Sequence, residues 1–367
     1  MKTKIVSLYL PQFYETTYNN EWWGVGYTDW VATKKSIPLF KNHKQPHAPL
    51  NDNYYNLGEE CGDTIRWQAK IAREYGVDGF CIYHYWFPSG KYLEKPADIL
   101  YNNSDIDIDY CFSWDASSWR RTWTASSNET EVLVQQNFGN EDVWTLHYKD
   151  LRKFFLDTRY IQIDNKPVFC IYKSEQIECL EEMKKCWDRL AREDGFAGIY
   201  LVVGDANNRN RQFFEIVDAF YNYEPQYSFG RQHKSLHNFL HLSIGAIKKK
   251  LNKYLGTSFF PDKRSAQYIY RCIEKNDREI EKKVFFGLFA NYDDTPRRGI
   301  KGVVYTNNKV DMFEKCLEIQ LKKSIELDNE LLFITAWNEW GESAYLEPDK
   351  ENGYAYLEAI KRVKSRI

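Results

Sequence analysis

Short apolar runs recur along this chain of 367 residues, and amphipathic segments separate most of them. The runs are rich in β-branched and aromatic residues, which is typical of strands buried on both faces of a parallel sheet. They cover residues 4–10, 79–85, 109–114, 167–172, 198–204, 218–223, 284–290 and 331–337. Eight such strands that alternate with helices favour a closed (β/α)8 barrel over an open sheet.

Apolar residues at helical spacing predict helices between most of these strands. The predicted helices cover residues 63–75, 141–155, 174–194, 263–282, 310–327 and 353–367. A doubly wound α/β sheet is the alternative fold, but no G-x-G-x-x-G follows the first strand. We therefore predict one TIM-barrel domain over residues 1–367. Its long βα loops, at 11–60, 115–140 and 224–261, would lie on the face where barrel enzymes build their active sites.

The charge balance limits the kinds of molecule that the chain is expected to bind. The chain carries 50 Lys and Arg against 52 Asp and Glu. This argues against nucleic acid or an anionic membrane as the main partner, because both usually require a basic surplus. No stretch approaches the roughly 18 apolar residues of a membrane span, and the N-terminal residues lack a signal-peptide pattern. A cytoplasmic location is therefore expected, whereas nothing in the sequence indicates the oligomeric state.

No metal and no cofactor is expected. The eight cysteines include no C-x-x-C pair, and Cys81, Cys111 and Cys170 fall inside strand-like runs, where they are interpreted as small buried hydrophobic residues. Free thiols of this kind favour a reducing compartment. The histidines at 43, 47 and 84 lack a metal-ligand spacing, and the D-x-D pattern at 105–109 precedes its strand, on the face away from a barrel active site.

Carboxylates, amides and aromatic side chains gather at the C-terminal end of nearly every predicted strand. Apolar C–H faces of a sugar stack on aromatic rings, and polar groups bind its hydroxyls, so these residues are candidates for binding carbohydrate. Core packing and loop capping are the alternative interpretations. The candidates are Tyr9, Trp22, Trp23, Tyr27, His84, Tyr85, Trp86, Trp114, Asp115, Asp205, Tyr223, Glu224, Tyr292, Trp337 and Asn338.

The segment TAWNEWGESAYLEP at residues 335–348 contains the candidate catalytic pair, Glu339 and Glu342. Glycoside hydrolysis needs one carboxyl that donates a proton to the leaving oxygen. A second carboxyl attacks or stabilises the oxocarbenium-like centre, or activates a nucleophile. The flanking tryptophans would remove water from a carboxyl and raise its pKa. Alternatively, one of the glutamates caps a helix and the tryptophans pack the barrel.

Six segments together resemble the WbsX-like family, which is related to glycoside hydrolase family 99, the endo-α-mannosidase and endo-α-mannanase group. The segments are YLPQFY at 9–14, EWWGVGYTDW at 21–30, QPHAPL at 45–50, DGFCIYHYWF at 78–87, DTPRRG at 294–299 and WNEWGE at 337–342. The resemblance extends over nearly the whole chain, and it implies a (β/α)8 barrel.

The resemblance also implies roles for the two glutamates. Family 99 enzymes carry an N-E-W-x-E pattern and retain configuration through a 1,2-anhydro sugar. On that pattern Glu339 is the base that takes a proton from the sugar 2-hydroxyl, and Glu342 is the general acid and then the base. This chain departs from the pattern at Gly341, where family 99 typically has His.

Three functions are consistent with these observations. The first is a retaining glycoside hydrolase that acts within α-linked, mannose-like oligosaccharides or polysaccharides. The second is a glycosyltransferase of surface-polysaccharide synthesis, a label that WbsX-like chains often carry. The third is a carbohydrate-binding protein without catalysis.

Overall fold

The computed structural model describes residues 3–121, 131–205, 210–231, 261–276 and 282–367, with isolated helical positions between 243 and 254. Eight parallel strands form its centre, each at a position that the sequence predicted. They are β1 Lys4–Tyr9, β2 Gly79–Phe87, β3 Asp109–Asp115, β4 Lys166–Tyr172, β5 Tyr200–Asp205, β6 Ala219–Asn222, β7 in two parts, Lys283–Phe285 and Gly287–Phe289, and β8 Leu331–Thr335. Each strand pairs with its neighbours in chain order, and β1 also pairs with β8.

The barrel closes at β7, because the two parts of that strand pair on opposite sides. Lys283–Phe285 pairs with β6, whereas Gly287–Phe289 pairs with β8. A Cβ atom at Gly287 would collide with the backbone carbonyl oxygen of Asn222 on β6, so the close approach of these strands requires glycine. The predicted (β/α)8 fold is confirmed.

The helices cover the outside of the barrel and occupy its loops. They are α1 Thr17–Trp23, α2 Asp29–Lys35, α3 Asp63–Tyr75, α4 Lys95–Asn102, α5 Glu141–Phe155, α6 Leu180–Glu193, α7 Gln226–Arg231, α8 Ala266–Glu274, α9 Thr295–Arg298, α10 Val310–Glu326 and α11 Ala355–Arg366. Their apolar faces pack on the strands. Within the described residues, no helix combines the length and apolar character needed to cross a bilayer.

Two predicted helices begin three or more residues later than the sequence indicated. Residues Asp262–Ser265 form a strand that pairs with Val303–Thr306, and the Ser265 side chain then accepts a hydrogen bond from the Tyr268 N–H to begin α8. The end of the same prediction, at 277–281, lies outside the described residues. Residues Ser174–Gln176 form a separate 3-10 turn, and α6 begins only at Leu180.

Candidate active site

The two glutamates lie on a tight hairpin that follows β8. Asn338–Glu339 pairs with Ala344–Tyr345, and Trp340–Glu342 makes a 3-10 turn between them. The Asn338 side chain fixes the start of this hairpin to β1. Its Oδ1 accepts from the Leu10 N–H at 2.7 Å, and its Nδ2 donates to the Leu10 carbonyl at 3.0 Å. Both carboxylates therefore stand at the C-terminal rim of the barrel.

One buried guanidinium connects the two carboxylates. Arg297, on α9 after β7, donates from Nη1 to Glu342 Oε1 at 2.8 Å and from Nη2 to Glu339 Oε2 at 3.1 Å. Its Nε donates to Asp29 Oδ1 at 3.0 Å. Arg297 is only 8% exposed, so its charge acts on these three carboxylates with little screening by water. We define Asp29, Arg297, Glu339 and Glu342 as the carboxylate–arginine cluster.

The same cluster explains the departure at Gly341. The Gly341 N–H donates to Asp29 Oδ2 at 2.8 Å. A Cβ atom at this position would lie 2.6 Å from Arg297 Nε and 2.6 Å from Asp29 Oδ1. The space that a side chain would need is therefore filled by the guanidinium and its carboxylate partner.

Burial shifts the pKa of one member of the pair strongly. Removal from water raises the pKa of Glu339 to about 8; the charge of Arg297 opposes this rise, and the negative charges of Glu342 and Asp29 add to it. Glu342 is more accessible, because a fifth of its side chain is exposed (20%). Nearby, burial and the charge of Glu342 raise the pKa of Asp294 to about 6.

A second buried carboxylate, Glu347, holds the hairpin in place. It accepts hydrogen bonds from Trp340 Nε1 at 2.6 Å, Trp337 Nε1 at 3.1 Å, Gln68 Nε2 at 2.7 Å and the Tyr55 hydroxyl at 2.8 Å. Burial raises its pKa to about 7, and the four donors oppose that rise. Trp337 and Trp340 therefore serve as donors to a structural carboxylate as well as packing the barrel.

A cleft of about 460 Å³ opens beside this rim. Glu339 and Glu342 do not line this cleft, but their charges affect the pKa values of two residues that do, Tyr85 and Arg298. Burial and the charge of Asp115 raise the pKa of Tyr85, and the charge of Glu339 adds to this rise. Burial lowers the pKa of Arg298, whereas the charges of Asp294 and Glu342 raise it. The lining residues are Trp22, Trp23, Tyr85, Asp115, Ser117, Ser118, Trp119, Arg120, Leu133, Lys173, Glu175, Gln176 and Arg298.

Five tyrosine hydroxyls interact electrostatically with the carboxylate pair. Burial raises the pKa of each, and the charge of Glu339, Glu342 or both raises it further. They belong to Tyr83, Tyr85, Tyr172, Tyr223 and Tyr292. The hydroxyls of Tyr83 and Tyr223 lie 3.1 Å apart, within hydrogen-bonding distance. Each can donate to or accept from a sugar hydroxyl.

The structure brings many of the predicted binding residues to this region. Trp22, Trp23, Tyr85 and Asp115 line the cleft, whereas Tyr223 and Tyr292 belong to the tyrosines that interact electrostatically with the pair. Tyr27 packs beside Trp23. Burial and the charge of Asp29 raise the pKa of Tyr27, and the charge of Arg297 lowers it. Asp205 ends β5 at the same rim, next to residues 206–209, which lie outside the described residues.

Other predicted binding residues are directed away from the cleft. His84 faces outward from β2, where its Nε2 lies 2.8 Å from His147 Nε2 of α5, and burial lowers the His84 pKa to about 3. Trp86 stacks on the same His147 ring, and Trp114 packs against its edge. The alternation of side chains along β2 places His84 and Trp86 on the opposite face from Tyr83 and Tyr85.

Four more candidates are held in the interior by partners that the sequence did not reveal. The Tyr9 hydroxyl donates to Gln68, next to Glu347. Trp337 and Asn338 fix the hairpin as described above. Glu224 is fully buried and accepts from Ser228 N–H at 3.1 Å and Ser228 Oγ at 2.6 Å, so its carboxylate fixes the start of α7. These contacts correspond to the packing and capping alternatives.

Arg297 and Asp29 are not among the site residues that the sequence predicts. Both lie in segments that carry the family resemblance, DTPRRG and EWWGVGYTDW. However, Arg297 and Asp29 are 268 positions apart, so no local pattern predicts their contact.

Comparison with known proteins agrees with this architecture. The family model described as Glycosyltransferase WbsX matches residues 5–360. An uncharacterized protein WxcX from Xanthomonas campestris pv. campestris strain B100 is 26% identical over 369 residues, which is 99% of this chain and 50% of that protein. The homologous WxcX protein of a second strain is 27% identical over 368 residues. The chain thus spans about half the length of these curated relatives.

Solved structures show the same fold at low sequence identity. The GH99 endo-alpha-mannosidase from Bacteroides thetaiotaomicron, in complex with BIS-TRIS-propane, superposes with a TM-score of 0.59 at 14% identity, covering 99% of this chain and 96% of that one. A structure described as a glycoside hydrolase-like protein gives a TM-score of 0.57 at 14% identity, covering 99% and 94%. With its family model matched from residue 5 to residue 360, this barrel belongs to the WbsX glycosyltransferase family.

Proposed function

We propose that this chain is a carbohydrate-active enzyme, and specifically a retaining glycoside hydrolase that cleaves within α-linked, mannose-like glycans. The observation that carries the proposal is the pair Glu339 and Glu342, bound by one buried arginine at the C-terminal rim of the barrel. An arginine that binds both carboxylates reduces their mutual repulsion, so two acidic groups can act on one sugar ring.

The proposed reaction assigns one proton transfer to each glutamate. Glu342, the more accessible of the two, donates its proton to the leaving glycosidic oxygen. Glu339 takes the proton of the sugar 2-hydroxyl, whose oxygen attacks the anomeric carbon to form a 1,2-anhydro sugar. Glu342 then takes a proton from water as the water oxygen attacks the anomeric carbon. The bond from that carbon to O2 breaks, and O2 takes its proton back from Glu339. Trp22, Trp23 and the tyrosine hydroxyls would bind the sugar rings.

The roles can be tested separately with substrates that have different leaving groups. Wild type and the variants Glu339→Gln and Glu342→Gln would be assayed on α-mannan oligosaccharides and on activated aryl α-mannosides. Loss of a general acid typically lowers the rate about 10²–10⁴-fold on a poor leaving group, but much less on an activated one. We expect that pattern for Glu342→Gln only, whereas Glu339→Gln should be slow on both substrates. Glu358→Gln, an exposed glutamate of α11, is the control.

The pH dependence tests whether Glu339 takes part in the reaction. With a pKa of about 8, Glu339 changes its protonation state around that pH, whichever of the two proton transfers it carries out. We therefore expect kcat/KM of wild type to change with pH around pH 8, and the residual activity of Glu339→Gln to lack this dependence. The same profile in both proteins would contradict a role for Glu339 in proton transfer.

The family description favours a second candidate, a glycosyltransferase. The same two carboxylates could pass the sugar to an acceptor hydroxyl instead of water, or a nucleotide sugar could be the donor. Titration calorimetry with nucleotide sugars, and product analysis by mass spectrometry with added acceptor glycans, distinguish these reactions from hydrolysis. Turnover of the α-mannans that is unchanged in both glutamine variants would refute the catalytic roles of Glu339 and Glu342. Binding of glycans without turnover would support the third function, a carbohydrate-binding protein.

A further inference from the structure

Three buried cysteines meet inside the barrel, on three consecutive strands. Cys81 lies on β2, Cys111 on β3 and Cys170 on β4, and none of them is exposed. Their sulfur atoms all lie within 4.8 Å of one another. The strand register produces this meeting, because Cys81 pairs with Cys111 and Cys170 pairs with Ser113, two positions further along β3.

Two buried hydroxyl groups accompany the thiols. Ser113 and Tyr221 are both fully buried. Ser113 lies two positions after Cys111 on β3 and pairs with Cys170, so its side chain is on the same face as the thiols. Yet neither hydroxyl makes a hydrogen bond of normal geometry with any residue that the structure describes. Buried hydroxyls usually have such a partner, so both are candidates to donate a hydrogen bond to a group bound beside them.

The separation of the sulfurs suits a shared metal ion. A zinc–sulfur bond of about 2.3 Å places thiolates of one ion about 4 Å apart, which is compatible with the observed limit. Strands of a closed barrel also hold the three side chains in fixed positions. We propose that Cys81, Cys111 and Cys170 form a buried site for a divalent thiophilic cation of the zinc and cadmium class.

Charge decides between divalent and monovalent cations. Each thiol releases its proton to water as its sulfur binds the metal, so three thiols lose three protons. A divalent cation then leaves one net negative charge in the barrel, whereas a monovalent cation leaves two. Hydrogen bonds from Ser113 and Tyr221 to the thiolates can offset one charge more readily than two. This proposal is independent of the proposed function, because it uses none of the carboxylates.

The experiment uses Cd²⁺ as the probe, because the ¹¹³Cd chemical shift depends on the number of sulfur ligands. The whole chain would be refolded under anaerobic, reducing conditions with Cd²⁺, and then analysed for metal content and by ¹¹³Cd NMR. We expect one Cd²⁺ per chain with a shift typical of three sulfur ligands. The variant Cys111→Ala should lose this ion, whereas Cys316→Ala, equally buried on α10, should retain it. Tyr221→Phe should lower the affinity about 10- to 100-fold.

Two results would overturn the proposal. One is a wild-type chain that refolds with no stoichiometric Cd²⁺, and the other is a ¹¹³Cd spectrum that is identical in Cys111→Ala. Circular dichroism verifies that each variant folds. If Cys111→Ala does not fold, the shift measured on wild type still decides, because a shift typical of oxygen or nitrogen ligands contradicts a site made of three thiolates.

Discussion

Arg297 is the residue on which the carboxylate–arginine cluster depends, since it donates to Asp29, Glu339 and Glu342 at once. Replacement by glutamine would leave buried carboxylates without their positive partner. We expect Arg297→Gln to lower the free energy of unfolding by about 3–5 kcal/mol, measured by urea denaturation. The control Arg362→Gln breaks an exposed pair with Glu314 and should cost less than about 1 kcal/mol. Equal losses in the two variants would contradict the structural role given to Arg297.

Glu339 should also make stability depend on pH. Burial raises its pKa from an ordinary value of 4.5 to about 8. Between these values the folded chain holds a proton that the unfolded chain has released, so the free energy of unfolding falls as the pH rises. The variant Glu339→Gln lacks this contribution, and its stability should therefore fall less steeply over that interval.

Urea denaturation of both proteins from about pH 5 to pH 8 measures the difference in slope. Asp294 and Glu347, whose pKa values are also raised, are present in both proteins, so most of their contribution cancels in the comparison. Parallel curves for wild type and Glu339→Gln would show that Glu339 has an ordinary pKa in the folded chain.

At the scale of elements, the hairpin after β8 is held by the buried carboxylate of Glu347, whose partners include Gln68 of α3. Its four hydrogen-bond partners are all donors, so an amide at this position would direct N–H groups at N–H or O–H groups. We expect Glu347→Gln to lower the free energy of unfolding by about 1–3 kcal/mol, with a changed near-ultraviolet circular dichroism from Trp337 and Trp340. The exposed substitution Glu358→Gln should change neither signal; an unaltered spectrum in Glu347→Gln would refute the prediction.

Most elements could be predicted from the sequence because local patterns produce them. The helices Asp63–Tyr75 and Glu141–Phe155 have the predicted bounds, since an apolar stripe defines each and Gly76 or Asn140 caps it. The predicted helix at 263–282 is wrong at its start, because residues Asp262–Ser265 pair with a strand some 40 positions later in the chain. Pairing at that distance leaves no periodic signal in a local window.

At the scale of the whole molecule, the barrel depends on its closure at β7. A side chain at Gly287 would collide with the Asn222 carbonyl and separate β6 from β7. We expect Gly287→Val to lower the free energy of unfolding by at least about 2 kcal/mol and to increase amide hydrogen exchange in β6 and β7. Gly90→Ala, where φ is 145° and the methyl group meets open space, should cost stability only through local backbone strain and leave exchange in β6 and β7 unchanged. Wild-type exchange in Gly287→Val would contradict this account of closure.

The sequence by itself determined the barrel, its eight strands and the rim on which Glu339 and Glu342 stand. It could do so because strands buried on both faces have a recognisable apolar composition, and because consecutive strands usually lie side by side. It also predicted part of the cleft, since Trp22, Trp23, Tyr85 and Asp115 follow strand ends.

Only the tertiary structure decided which of those residues share one environment. It placed His84 and Trp86 behind β2, because side chains alternate between the faces of a strand. It also brought Arg297 to Asp29 and the two glutamates, and joined three cysteines from separate strands. The physical reason is that such contacts depend on the register between strands and on the course of long loops, which sequence spacing does not encode.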